Sequence, residues 1–143
     1  MFVRILAAAI AGSIIFFCMG FVIYGLLLDS LMKGYMVQYP GLMKDPPAMV
    51  VLFLWNFVMA LFFTLVFDKW AGIRSFAGGL VGGAFMMFFI ELATDLSYMA
   101  FMNLMNSFVA VVIDVAGATV LGAVAGGVIG AVLGLMNKEP AAA

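Results

Sequence analysis

The chain has 143 residues, 68% of them hydrophobic and 9% charged, with a mean hydropathy of +1.29; soluble domains are roughly half apolar and about one-quarter charged, so this composition belongs in a lipid bilayer. The absence of histidine and the single cysteine, Cys18, exclude bis-imidazole haem ligation, His-based zinc sites and intramolecular disulfides. A net charge of −1 with only six scattered Lys and Arg leaves no electrostatic footprint for nucleic acid.

The charged positions leave uncharged runs at 5–28, 46–67, 75–90, 96–113 and 115–137. Because about 20 apolar residues span a bilayer, the expected fold is all-α: a four-transmembrane-helix bundle, with helices near 2–28, 46–67, 76–100 and 107–136 in one integral membrane domain covering 1–143. The first helix opens like a secretory signal, with Arg4 before an apolar stretch, but that stretch runs to about 24 residues against the 7–15 of a signal core, which predicts a retained helix. The linker from Asp29 to Lys44 carries Leu31, Met32, Tyr35, Met36, Tyr39, Leu42 and Met43 at mostly helical spacing; it is expected to lie along the interface, with Tyr35 and Tyr39 at headgroup depth.

Asp45-Pro46-Pro47 offers an N-cap acceptor and a first-turn proline for the second helix. Asp68-Lys69-Trp70 marks its exit at a headgroup boundary. Gly72 and Ser75 read as a C-cap and the next N-cap, so the second and third helices form an antiparallel hairpin. The third and fourth helices turn somewhere within Met99 to Ser107, where Asn103, Asn106 and Ser107 are the turn formers. An even number of crossings places Arg4, Lys69, Arg74 and Lys138 on one side and Lys33 and Lys44 on the other, an excess that predicts both termini in the cytoplasm (N-in, C-in). Pro140 to Ala143 reads as a tail.

Gly122, Gly126, Gly130 and Gly134 recur every four residues on the fourth helix and continue a row begun by Asp114 and Ala118. Such a stripe lets another backbone approach closely, the main route to helix association in lipid. Gly78 and Gly82, each in a glycine pair, give the third helix a patch, and Ala8 and Gly12 give the first another. These rows pack either within one chain or against a second copy or a larger complex. None sits between a strand and a helix N-terminus, so they are not phosphate loops.

Glu91 and Asp95 lie four apart on one helix face, and each costs at least a few kcal/mol in mid-bilayer if ionised. With a turn near Met105, Asp95 and Asp114 face one another across the hairpin; Asn56 and Tyr24 are candidates for the same layer, and no Lys or Arg occurs at that level. Crowded carboxylates in a low dielectric favour a shared proton or a bound cation. The layer reads as a proton- or cation-binding site, as a hydrogen-bonded polar core, or as acids simply exposed at the interface. No linear metal-ligand motif is present, and no catalytic residue or cofactor is expected. The 13 Met and 15 Phe read as lipid-facing and gap-filling side chains.

Met19-Gly20-Phe21-Val22-Ile23-Tyr24-Gly25 closing the first helix, the Gly-rich third helix, and Val112-Ile113-Asp114-Val115-Ala116-Gly117 opening the last resemble a family of small bacterial four-helix integral membrane proteins of unknown function. The resemblance spans most of the chain as architecture and Ile113-Asp114 as a motif. It implies residence in the bacterial cytoplasmic (inner) membrane and interest in Asp114, and it implies nothing catalytic. A membrane glutathione-transferase type would carry an intramembrane Glu-Arg pair, and a small multidrug exporter type an acid in the first helix; this chain has neither.

The leading expectation is a non-enzymatic structural or accessory subunit, a homo-oligomer or part of a larger membrane complex, assembled through its glycine faces. The alternative is a small proton- or cation-coupled transporter or channel using Glu91, Asp95 and Asp114. The orientation makes a direct prediction: a cysteine replacing Lys138 reacts with an impermeant maleimide only from the cytoplasmic side of inverted and right-side-out vesicles, and labelling from the opposite side alone refutes it.

Overall fold

The computed structural model describes residues 2–137; Lys138, used above for orientation, and the tail 140–143 lie outside the described residues. The elements are α1 (Phe2–Gly20), continued by a π-helical stretch Phe21–Leu27; the short α2 (Asp29–Lys33); α3 (Met49–Leu65), continued by a second π-helical stretch Val66–Ala71; α4 (Phe76–Phe101); and α5 (Phe108–Leu135). Four of the resulting rods, Phe2–Leu27, Met49–Ala71, Phe76–Phe101 and Phe108–Leu135, are long and apolar enough to cross a membrane. The chain is an all-α four-helix bundle, and no β-strand occurs among the described residues.

The turn chemistry is local. Gly72 takes the left-handed conformation (φ 62°) that ends the α3 rod, as an achiral residue allows at small cost. Ser75 then caps α4 by accepting from Gly78 N–H at 3.1 Å, and Ser107 caps α5 by accepting from Val109 N–H at 3.0 Å. The second crossing departs from expectation. α3 begins at Met49 rather than Pro46, its N-cap Ala48 contributes no side-chain bond, and Asp45 leads into a turn instead of capping the helix. Successive prolines remove two donors and hold the preceding residues extended, so the helix starts only beyond them.

The linker also differs. Only Asp29–Lys33 is helical; beyond it the chain crosses to the α4–α5 turn. There Val37 N–H donates to Leu104 O (2.8 Å) and Asn106 N–H to Tyr35 O (2.8 Å), around an isolated antiparallel bridge between Met36 and Met105. The Tyr39 hydroxyl donates to Asn103 O at 2.9 Å. The linker therefore forms a lid over one end of the bundle, the loop end.

α5 is the spine. It packs along α4 and against α1, and α1 in turn packs on α3. α3 and α4 are consecutive and antiparallel, yet they scarcely touch beyond their turn; above it Phe62, Phe85, Met86, Phe89 and Ile90 line an apolar cleft between them. The α4–α5 contact is made by backbone. A Cβ at Gly83 would lie 2.9 Å from Gly126 Cα, one at Gly126 2.7 Å from Gly83 Cα, and one at Gly130 3.1 Å from Gly79 Cα. Gly134 meets the Arg74 carbonyl, and Gly122 meets Met87. The fourth-helix row is thus occupied within the chain. Its partners on α4 are Gly79 and Gly83, whereas Gly78 and Gly82 face Ile73 and Phe67 at the α3–α4 turn.

The opposite, basic end is closed by ion pairs. Asp68, in the second π-helical stretch, is buried with Oδ1 at 2.6 Å from Arg4 Nη2 and 3.7 Å from Arg74 Nη2, and Oδ2 at 3.2 Å from Lys69 Nζ. Arg4 also donates to the Asn137 side chain, so both ends of the described chain meet there.

The seam predicts opposite outcomes for one substitution at two glycines. Gly126→Ala lowers the thermal midpoint in mild detergent, by overpacking worth about 1–3 kcal/mol. Gly20→Ala, whose Cβ would meet only Leu121 Cδ2 at 4.0 Å, leaves the midpoint unchanged or raises it through better helix propensity. A Gly126→Ala protein as stable as wild type contradicts the seam.

Candidate functional site: a carboxylate layer beneath the lid

The glycine seam continues toward the loop end as two facing rows with four-residue spacing. On α4 the row reads Gly79, Gly83, Met87, Glu91, Asp95; on α5, running the other way, Gly130, Gly126, Gly122, Ala118, Asp114. Closing the glycines backbone to backbone consequently brings the acids together. Carboxylate oxygens of Glu91, Asp95 and Asp114 all lie within 4.8 Å of one another.

Asp95 and Asp114 each lie six residues from the loop-end terminus of their helix, about 9 Å along the axis. α4, with 26 residues, is about 39 Å long against a hydrocarbon core of about 30 Å, so centring it places Asp95 about 5 Å and Glu91 about 10 Å inside the hydrocarbon boundary. The layer is shallow enough to reach water from one side and deep enough for charge to be costly.

Asp95 is fully buried, at 0% exposure, and neither of its carboxyl oxygens has a hydrogen-bond partner. The other buried polar side chains in the spans are settled. Ser13 donates to Ile10 O (2.8 Å), Asn56 to Leu52 O (2.8 Å) and Thr64 to Ala60 O (2.7 Å), each on its own helix, and Asp68 sits among cations. A carboxyl can bond a helix carbonyl only through a proton of its own, and Asp95 makes no such bond. Buried polar groups are ordinarily bonded, which makes this one an exception with a cause to be found.

Tyr24 approaches from α1. The π-helical stretch widens the turn that carries it, and its hydroxyl lies 3.3 Å from Asp114 O as donor. Insertions of this kind often mark functional positions. Above it, a cavity of about 340 Å³ under the lid is bounded by Tyr24, Asp114, Asp29, Met32, Tyr39 and Leu104, among others. Lys33, at its rim, is paired with Asp29 at 2.7 Å. Of the expected site residues, Glu91, Asp95, Asp114 and Tyr24 therefore come together. Asn56 is buried on α3 and bonds its own helix.

Sequence reasoning missed the Arg4–Asp68 pair, although an acid and a base flanking apolar runs of opposite direction were the available signal. It also missed the lid. No protein-family model matches the chain, no curated protein matches it, and no solved structure matches it. The site is consequently read from its own chemistry.

An acid kept for its own hydrogen bonds and an acid kept for a ligand respond differently to Asp95→Asn. Because Asp95 makes no hydrogen bond to lose and the substitution removes charge from a crowded layer, the variant unfolds at the same or a higher temperature than wild type in chelator-treated detergent solution. Destabilisation by about 2 kcal/mol or more assigns the layer to structure instead.

Proposed function

We propose that this integral membrane protein is a small proton- or cation-coupled transporter or channel whose ion site is the Glu91–Asp95–Asp114 layer. The supporting observation is the convergence of three acids around a fully buried Asp95 with no hydrogen-bond partner, beneath a cavity that reaches Asp114 from the loop end. Intramembrane acids without a basic partner mark ion and proton pathways. Placement in the bacterial cytoplasmic membrane belongs to this reading through the family resemblance, and the orientation with both termini inside rests on the basic residues of one end.

Proteoliposomes test it. Wild-type protein carries protons or cations down an imposed gradient, read with a pH dye or an isotope, and both Asp95→Asn and Asp114→Asn reduce the flux at least ten-fold while the purified variants stay monodisperse. Flux equal to that of empty liposomes, or equal in wild type and both variants, overturns the reading.

A second reading, an accessory subunit of a homo-oligomer or a larger complex, draws support from the α3–α4 cleft, where Phe85 and Phe89 are among the exposed side chains. A glycine zipper between chains has less support, since the row of α5 is closed on α4. Stoichiometric co-purification of a partner from native membranes in mild detergent favours this reading, and Phe85→Ala with Phe89→Ala then releases the partner.

A further inference from the structure

We propose that the Glu91–Asp95–Asp114 layer binds a hard divalent cation of calcium size, entering from the loop end past Tyr24; this rests on the ion-site reading above and narrows its ligand. The donors identify the class. Three carboxylates converge, the chain has no histidine, and its one cysteine, Cys18, is exposed on α1. An all-oxygen donor set selects hard cations and offers nothing to the softer metals that take imidazole or thiolate.

Spacing and charge narrow the class further. Opposite ligands on Mg²⁺, bound at about 2.0–2.1 Å, are at most about 4.2 Å apart, whereas on Ca²⁺, at about 2.3–2.6 Å, they reach about 5.2 Å. One oxygen from each of the three carboxylates lies within 4.8 Å of the others, inside the span of the larger ion. The remaining positions of an ion with six to eight ligands fall to second carboxylate oxygens and to water from the cavity. Charge points the same way. Lys33 is engaged with Asp29 at the rim, and Arg4, Lys69 and Arg74 gather around Asp68 at the far end. With all three carboxylates ionised as ligands, a monovalent ion would leave two negative charges in the layer, and a divalent ion leaves one.

The independent mark is Asp95, whose two oxygens are both buried and unbonded, whereas Ser13, Asn56 and Thr64 bond their own helices and Asp68 is paired with cations. Access is one-sided. Asp114 borders both the layer and the cavity under the lid, whose rim carries the mutually paired Asp29 and Lys33. Toward the basic end, Met87 and the glycine seam fill the path. The absence of a linear metal motif in the sequence is no obstacle, because two helices supply these ligands and their register, rather than chain spacing, brings them together.

The full-length protein in mild detergent, stripped with chelator, is titrated with Tb³⁺, which substitutes for Ca²⁺ and is sensitised by a nearby tyrosine. Tyr24, bonded to the Asp114 carbonyl, is the expected antenna. The expected result is saturable tyrosine-excited Tb³⁺ emission that Ca²⁺ displaces at concentrations at least ten-fold below those needed for Mg²⁺. Emission is lost in Asp95→Asn and in Glu91→Gln, so that either variant suffices if the other does not fold. Tyr24→Phe loses most emission yet keeps the rise in thermal midpoint caused by Ca²⁺. Emission unchanged in both acid variants, equal competition by Mg²⁺, or no change in midpoint with Ca²⁺ overturns the inference. Those results together with Asp95-dependent flux in proteoliposomes leave a proton or monovalent-ion site; together with no flux they remove the ion site altogether.

Discussion

The structure depends on one contact made almost without side chains, the closure of α4 on α5 through Gly79, Gly83, Gly122, Gly126 and Gly130. In water, two apolar helices associate because association removes hydrocarbon from solvent. In a bilayer that gain largely disappears, since the lipid is as apolar as the helix, and packing quality decides instead. Removing the Cβ atoms along both rows allows the backbones to meet and dispersion contacts to accumulate along the seam. Substituting any of these glycines puts a carbon where a carbonyl or a Cα of the partner helix already lies. The seam therefore fixes the relative height and rotation of the two helices closely.

That fixity is what makes the acids consequential. Glu91 and Asp95 extend the α4 row, and Asp114 begins the α5 row, so the register that seats the glycines leaves the carboxylates no choice but to face one another. Flexible helices would let three like charges turn apart toward lipid headgroups; a glycine seam prevents that rotation. The cost of crowding is thus held in place by packing elsewhere, the usual arrangement when a strained or unsatisfied group persists. The basic end offers the contrast. Asp68 is buried too, but Arg4, Lys69 and Arg74 converge on it, with Arg4 and Arg74 coming from outside its helix. One end of the bundle thus holds an acid surrounded by bases, and the other a layer of acids with no base beside it.

Much of this was legible in the sequence, for physical reasons that differ by feature. Uninterrupted apolar runs give the crossings because bilayer thickness sets their length, and the facing of Asp95 and Asp114 follows from symmetry about the α4–α5 turn. The choice between Gly78/Gly82 and Gly79/Gly83 was not legible. The two pairs are adjacent, identical in composition and separated by one helical step of about 100°, and only the position of α5 decides which pair faces it. The start of α3 was misplaced for a related reason. Asp45-Pro46-Pro47 has the composition of a cap, yet the helix begins after it, at Met49, because hydrophobic patterning does not locate a boundary inside an apolar segment. Arg4 with Asp68, and Tyr35 with Asn106, are joined across 64 and 71 positions, beyond the reach of local spacing.

Three separate elements gather around the start of α5, which carries Asp114. Tyr24 reaches its carbonyl from the π-helical end of α1. Leu28, the residue before α2, fills the space beside Gly117, where a Cβ would lie 2.6 Å from its Cδ1. The lid is pinned to the turn that carries both acid-bearing helices through Val37 and Asn106. Glycine packing makes the basic half of the hairpin stiff, whereas the linker is held to the α4–α5 turn by two backbone hydrogen bonds and the Tyr39 hydroxyl, contacts of modest strength individually. Motion is thereby directed to the end where water and ions arrive. An ion reaches the layer past the lid, α2 and Tyr24, and passage onward to the basic end requires Met87 and the glycine seam to part.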